Sequence, residues 1–151
     1  MISHDEETFV WSDRYVLGYS PMDHHHKEFV SLVGEMLNSW PLQLAPLLER
    51  FLIHAKAHFE DEAKWMTDTQ FPGMECHIDE HNAVINSCMG VMKRIEDGDF
   101  SAGYLLASEL SSWFPAHADY LDSALAQWMV KRSNGGVPIV FKRNSGRYPQ
   151  D

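Results

Sequence analysis

Apolar residues return at helical spacing in four long stretches of this 151-residue chain. The first opens at Ser20-Pro21, an N-cap followed by proline at the first helical position, with Asp23 favouring the same start. It continues through Met22, His26, Phe29, Val30, Val33 and Leu37 until Ser39-Trp40-Pro41 breaks the pattern. A second stretch begins near Pro46 and carries Leu47, Leu48, Phe51, Leu52, Ala55, Phe59 and Met66, up to the "FPGM" of residues 71–74. A third runs from about Glu75 to Glu96 with Ile78, Val84, Ile85, Cys88, Val91, Met92 and Ile95 in a stripe, and the "DGD" of residues 97–99 reads as a turn. The fourth begins near Ser101 and reaches about Lys131 through Leu106, Leu110, Trp113, His117 and Leu121.

Nowhere in the body is period-two alternation sustained, and no internal repeat occurs. Four long helices with short connections predict an all-α, up-down-up-down four-helix bundle. Residues 1–18, with Phe9, Trp11 and Tyr15, predict an aromatic arm that caps or crosses it. Residues 131–151 differ in kind: glycine, proline, basic residues and a β-branched run, Val137 to Phe141, form a tail or a strap against the acidic body or a protein partner.

Charge sharpens that division. Residues 1–130 carry 7 Lys+Arg against 21 Asp+Glu, a net −14, while residues 131–151 carry 5 against 1, a net +4, recovering −10 for the chain. So acidic a body excludes nucleic acid as the main ligand and disfavours anionic membranes. The acidic MISHDEETF start has no apolar core of a signal peptide, and no run approaches a membrane span, so a cytoplasmic protein is expected. Cys76 and Cys88 sit twelve positions apart on one predicted helix, roughly 18 Å by helical rise, which rules out a disulfide between them.

The unusual count is nine histidines. On the second helix His54, His58 and Glu62 are spaced by four and share a face, while Glu60 and Asp61 point elsewhere. On the third, His77 and His81 pair in the same way; on the fourth, His117 falls in line with Trp113 and Leu121. Of the three consecutive histidines on the first helix, His26 lies nearest the apolar stripe, His25 flanks it and His24 faces solvent. Every helix thus sends histidine inward, and two add an acid. Such a cluster would leave buried polar groups unpaired unless a metal satisfied them. A closed zinc site needs four ligands, often thiolates, whereas imidazole with carboxylates on facing helices suits a pair of irons.

Four pieces carry a resemblance to the bacterial hemerythrins, four-helix di-iron proteins that bind O2 reversibly: "MDHHHK" at residues 22–27, "HFEDE" at 58–62, "HIDEH" at 77–81 and "WFPAHADYLD" at 113–122. The "FVW" of residues 9–11 and "YVLGYSPMD" of 15–23 are also similar to the family's entry arm. The resemblance implies a hemerythrin-like bundle over residues 1–130. It assigns His77, His81 and His117 to one iron and His26 and His58 to the other, with Glu62, Asp122 and an oxo or hydroxo group bridging the pair. One coordination position then stays open, on the iron with two histidines, and O2 binds there. Phe59, Ile78, Trp113 and Leu121 are candidates for the O2 pocket.

A site rich in imidazole and lacking inward Glu-x-x-His motifs favours reversible O2 binding, for carriage, storage or supply, over O–O cleavage by an enzyme. The competing classes are oxygen or redox sensing through a partner, turnover of peroxide or nitric oxide, ferrous oxidation, and a purely structural metal bundle. Three features depart from the family pattern or strain the geometry. His54 makes a second H-x-x-x-H pair with His58, Ala63 stands where the family commonly has an acid, and Pro115 lies two residues before a ligand. His117 and Asp122 are five apart, about 140° off-line on an ideal helix, so a kink or π-bulge is expected there.

Overall fold

In the computed structural model, residues 9–133 are described. Among them are α1 (Ser20–Leu37), α2 (Leu44–Thr69), α3 (Met74–Glu96), α4 (Phe100–His117) and α5 (Ser123–Ser133), with no strand. A π-helical turn, Ala118–Asp122, joins α4 to α5 without a break, so the two form one rod. The result is the all-α four-helix bundle: α1 packs on α2 and α4, and α3 closes the ring between α2 and α4. Residues 131–133 complete α5, and the rest of the basic tail, 134–151, lies outside the described residues. No helix among the described residues is long and apolar enough to cross a membrane.

The helix ends follow local chemistry. Pro21 occupies the first turn of α1, where a missing N–H costs nothing. The Asp23 carboxylate accepts hydrogen bonds from the backbone N–H groups of Leu17 (2.8 Å) and Gly18 (3.1 Å), tying the incoming chain to the helix. Helix α2 starts at Leu44, two residues before the expected Pro46, because a 3-10 turn over Pro41–Gln43 leads straight into it. Its far end closes in a Schellman arrangement: Phe71 N–H donates to Met66 O and Gln70 N–H to Thr67 O, with Gln70 left-handed at φ 57. The same pair of bonds ends α3, from Asp99 N–H to Arg94 O and from Gly98 N–H to Ile95 O, and here glycine takes the positive φ.

The arm crosses the bundle as its aromatic residues suggest. Phe9 and Tyr15 are buried and meet the Phe114 ring edge-on at 5.9 and 5.3 Å. The crossing requires a glycine beneath it, since a Cβ on Gly34 would stand 2.9 Å from the Phe9 carbonyl oxygen.

Core packing divides into two apolar clusters with a polar layer between them. One holds Phe29, Val30, Ala55, Val84, Cys88 and Phe114; the other holds Met22, Met66, Leu125 and Ala126. On α1 the chain passes from Met22 to His26 to Phe29, on α2 from Ala55 through His58 and Glu62 to Met66. The fourth rod passes from Phe114 through His117 and Asp122 to Leu125. Seven polar residues are therefore buried in one layer: His26, His58, Glu62, His77, His81, His117 and Asp122.

Candidate metal centre

The π turn decides how this layer is assembled. Ser123 N–H donates to Ala118 O, a five-residue step that inserts one extra position into the rod. Asp122 consequently swings onto the inward side that a regular helix would give to residue 121. His117 Nε2 then stands 3.2 Å from Asp122 Oδ1. Pro115, which has no N–H to hold the preceding turn, precedes this point by three residues.

Around Asp122 the side chains of four rods converge. His26 Nε2 lies 2.9 Å from Asp122 Oδ2, and His77 Nε2 lies 2.8 Å from Asp122 Oδ1. Glu62 Oε1 is 3.2 Å from His77 Nε2 and 3.5 Å from His81 Nε2. His81 and His117 bring their Nε2 atoms to 3.2 Å from each other. Around Asp122, two sets of donor atoms are close enough to share a cation: His77, His81, His117 and Asp122, and His26, Glu62 and Asp122. Asp122 belongs to both.

Proton accounting shows what these atoms need. Glu80 Oε1 lies 2.8 Å from His117 Nδ1, and a carboxylate only accepts, so Nδ1 donates to it and Nε2 is the nitrogen that faces inward. Burial opposes charge at His77, yet Asp122 and Glu62 push that imidazole up to about 9. Burial also opposes charge at His26, and Asp122 raises it nonetheless. His81 is brought down to about 2 by burial and by the rings of His77 and His117. Burial, reinforced by the charge of Asp122, raises Glu62. Burial alone would raise Asp122 as well, but His117, His26 and His77 hold it well below the usual carboxylate range.

Three buried atoms that point into the layer, Glu62 Oε1, His77 Nε2 and Asp122 Oδ1, still lack an aligned hydrogen bond despite these short contacts. Buried orphans of this kind are costly, and a cation among them would satisfy all three. The donor set fits a transition metal that accepts imidazole and carboxylate together.

His58 stands apart from the group. Its Nε2 lies 2.8 Å from Glu28 Oε1 and its ring stacks on His25 at 4.0 Å, so it turns toward the α1–α2 rim. Burial and the His25 ring bring it down to about 4, outweighing Glu28. It still lines the inner cavity of about 20 Å³, with His25, His26, Phe29, Ala55, Phe59, Glu62, His81, Trp113, Phe114, His117 and Asp122. That volume holds about one water-sized molecule.

Two of the four residues expected around a small ligand, Phe59 and Trp113, line this cavity; Phe59 stacks on His81 at 3.8 Å and Trp113 on His117 at 4.3 Å. The other two do not. Leu121 is only half-buried because the extra residue of the π turn gives the inward position to Asp122. Ile78 follows His77 by one helical step and faces an outer groove of about 690 Å³ between α2 and α3. Phe29, Ala55 and Phe114 take their place in the lining. The sequence signal for Phe29 and Ala55 was their membership of the apolar stripes, which reads equally as core.

The model of the hemerythrin HHE cation-binding domain matches residues 17–129. The chain belongs to the hemerythrin family. It is 33% identical over 122 residues to the bacteriohemerythrin of Ralstonia nicotianae, covering 81% of this chain and 89% of that one. No solved structure matches it with significance. Membership of the hemerythrins implies non-haem iron, and the His and carboxylate layer described above supplies donors suited to it.

Proposed function

We propose that this hemerythrin binds O2 reversibly at a pair of irons held in the polar layer, serving oxygen carriage, storage or supply. The observation that carries the reading is Asp122, one buried carboxylate facing two separate groups of donors, with Glu62 beside it. His77, His81 and His117 would hold one iron and His26 the other, with His58 joining His26 from the cavity wall. Glu62 and Asp122 would bridge the pair, together with an oxo or hydroxo group. When bound, the irons supply the electrons and the open position for O2.

The chain's own residues account for selectivity. Phe29, Ala55, Phe59, Trp113 and Phe114 present carbon surface to the cavity and keep bulk water, and with it protons, away from the site. Glu80 fixes the His117 ring through Nδ1, so that Nε2 faces the layer. Five imidazoles against two carboxylates make a less electron-rich site than the carboxylate-dominated di-iron centres, which suits binding without O–O cleavage.

The test is stoichiometric. Protein loaded anaerobically with ferrous iron should take up one O2 for each two irons and then stop. Continued O2 consumption in the presence of a reductant would instead show an oxidase.

A further inference from the structure

Two spaces meet where α2 faces α3. One is the small inner cavity, and the other is the outer groove, whose walls include Ile53, Ala57, Ala63, Ile78 and Ile85. Phe59 and His81 line both. Their rings lie face to face at 3.8 Å and 6° from parallel, so one stacked pair stands between the groove and the polar layer. His81 is buried, whereas Phe59 is half-buried.

The other walls are held more firmly. Besides Phe59, the cavity residues that reach solvent are His25 and Trp113. The His25 ring is stacked on His58 at 4.0 Å and on Trp65 at 5.9 Å, and its Nε2 lies 3.1 Å from Asp61 Oδ2. Trp113 is stacked on His117 at 4.3 Å and tilts against Phe29 at 6.0 Å. Phe59 has no polar atom to anchor it, and the groove of about 690 Å³ leaves room for its ring to turn. A phenylalanine inside a close-packed core has no such room.

We propose that the α2–α3 groove is the entrance to the polar layer for a small uncharged molecule, and that Phe59 is its gate. In one staggered state of χ1 the ring covers His81 and closes the cavity. In another it lies in the groove and opens a passage along the face of His81. The isoleucines and alanines of the groove offer carbon surface to an uncharged visitor. An ion would have to shed its water to pass between the two rings. Ile78 then acts at the entrance, outside the cavity itself. That the visitor is O2 rests on the proposed function; the route stands on the shared wall.

The test times the entry of nitric oxide, an uncharged diatomic ligand of ferrous iron, by stopped flow. Ala63 follows Phe59 by one helical turn and its side chain leans back over that residue, so Ala63→Trp fills the groove beside the gate. Circular dichroism checks the fold, and Ala63→Ser is the small control. In Ala63→Trp, nitric oxide should associate and dissociate several-fold more slowly with its affinity unchanged, because a gate alters the barrier and not the end states. Phe59→Ala should associate faster than wild type, and Ala63→Ser should match it. A second readout uses metal-free protein. Phe59 should show two χ1 states there, as averaged three-bond couplings or exchange broadening in NMR spectra, and Ala63→Trp should hold it in one. Equal association rates in wild type, Ala63→Trp and Phe59→Ala overturn the entrance, as does a change of affinity at an unaltered association rate. A Phe59 side chain that behaves identically in the two metal-free proteins overturns the gate. Failure of reversible oxygenation would remove the O2 reading alone, since neither readout uses O2.

Discussion

His117 and Asp122 are five residues apart on one rod, yet His117 Nε2 stands 3.2 Å from Asp122 Oδ1 because a π turn lies between them. The turn absorbs one extra position, so a carboxylate five residues on still faces both groups of donors. Removing one residue from the turn should return the rod to α-helical winding with the pair four apart and the carboxylate still on the inward face. Tyr120, which is 77% exposed, is the residue to delete. Helix content by circular dichroism should be nearly unchanged, and iron bound per chain should stay at that of the wild type. Loss of iron in the deletion variant would show that the π turn does more than restore the register of Asp122.

Asp122→Asn isolates the charge from the geometry. The side chain keeps its size, but His26, His77 and His117 lose their shared anion. Breaking a buried ionic cluster from one side costs about 3 kcal/mol or more, so urea unfolding of the metal-free variant should shift accordingly. Iron content should fall as well.

Gln70 caps α2 in the left-handed region, where a side chain is strained by about 1 kcal/mol. It is exposed, and none of the site residues depends on it. Gln70→Gly should therefore raise stability by roughly 0.5–1 kcal/mol in denaturant unfolding, with metal content unaltered.

The two cysteines should behave oppositely. Cys76 is exposed and Cys88 is buried, where desolvation pushes its thiol up to about 12 from an ordinary 9.0. A thiol reagent at mild pH should label one cysteine per folded chain and both after denaturation. The raised value also fixes a sign. Below about pH 9 the thiol is protonated in both folded and unfolded chains. As pH rises toward 12 the unfolded chain ionises first, so stability is lost across that window. Cys88→Ala should remove this part of the alkaline decline in a urea titration over pH.

Much of the layer was legible because helical periodicity fixes which side chains share a face. The apolar stripe of α1 selected His26 over its two neighbours, and the structure gives them that order: His26 is 5% exposed and the His24 side chain 70%. Pro115 and the five-residue step to Asp122 together signalled a break in regular winding. The consequence for Leu121 was hidden, because a straight-helix line through Trp113 and His117 runs to Leu121 and the π turn bends it to Asp122. The outward turn of His58 was also hidden. It depends on a side-chain torsion and on Glu28, an acid of α1 that sequence alone places on the solvated face. Glu80 was missed for the same reason: beside His81, it reads as a surface acid until its contact with His117 is seen.

Reversible oxygenation is the central claim, and optical cycling tests it most directly. Protein loaded with ferrous iron under argon is exposed to O2, then purged, over several cycles while the visible charge-transfer bands are followed. The account predicts bands that appear with O2 and vanish on purging, with little loss from one cycle to the next. A stable oxidised spectrum after the first exposure, unchanged by argon, would contradict it.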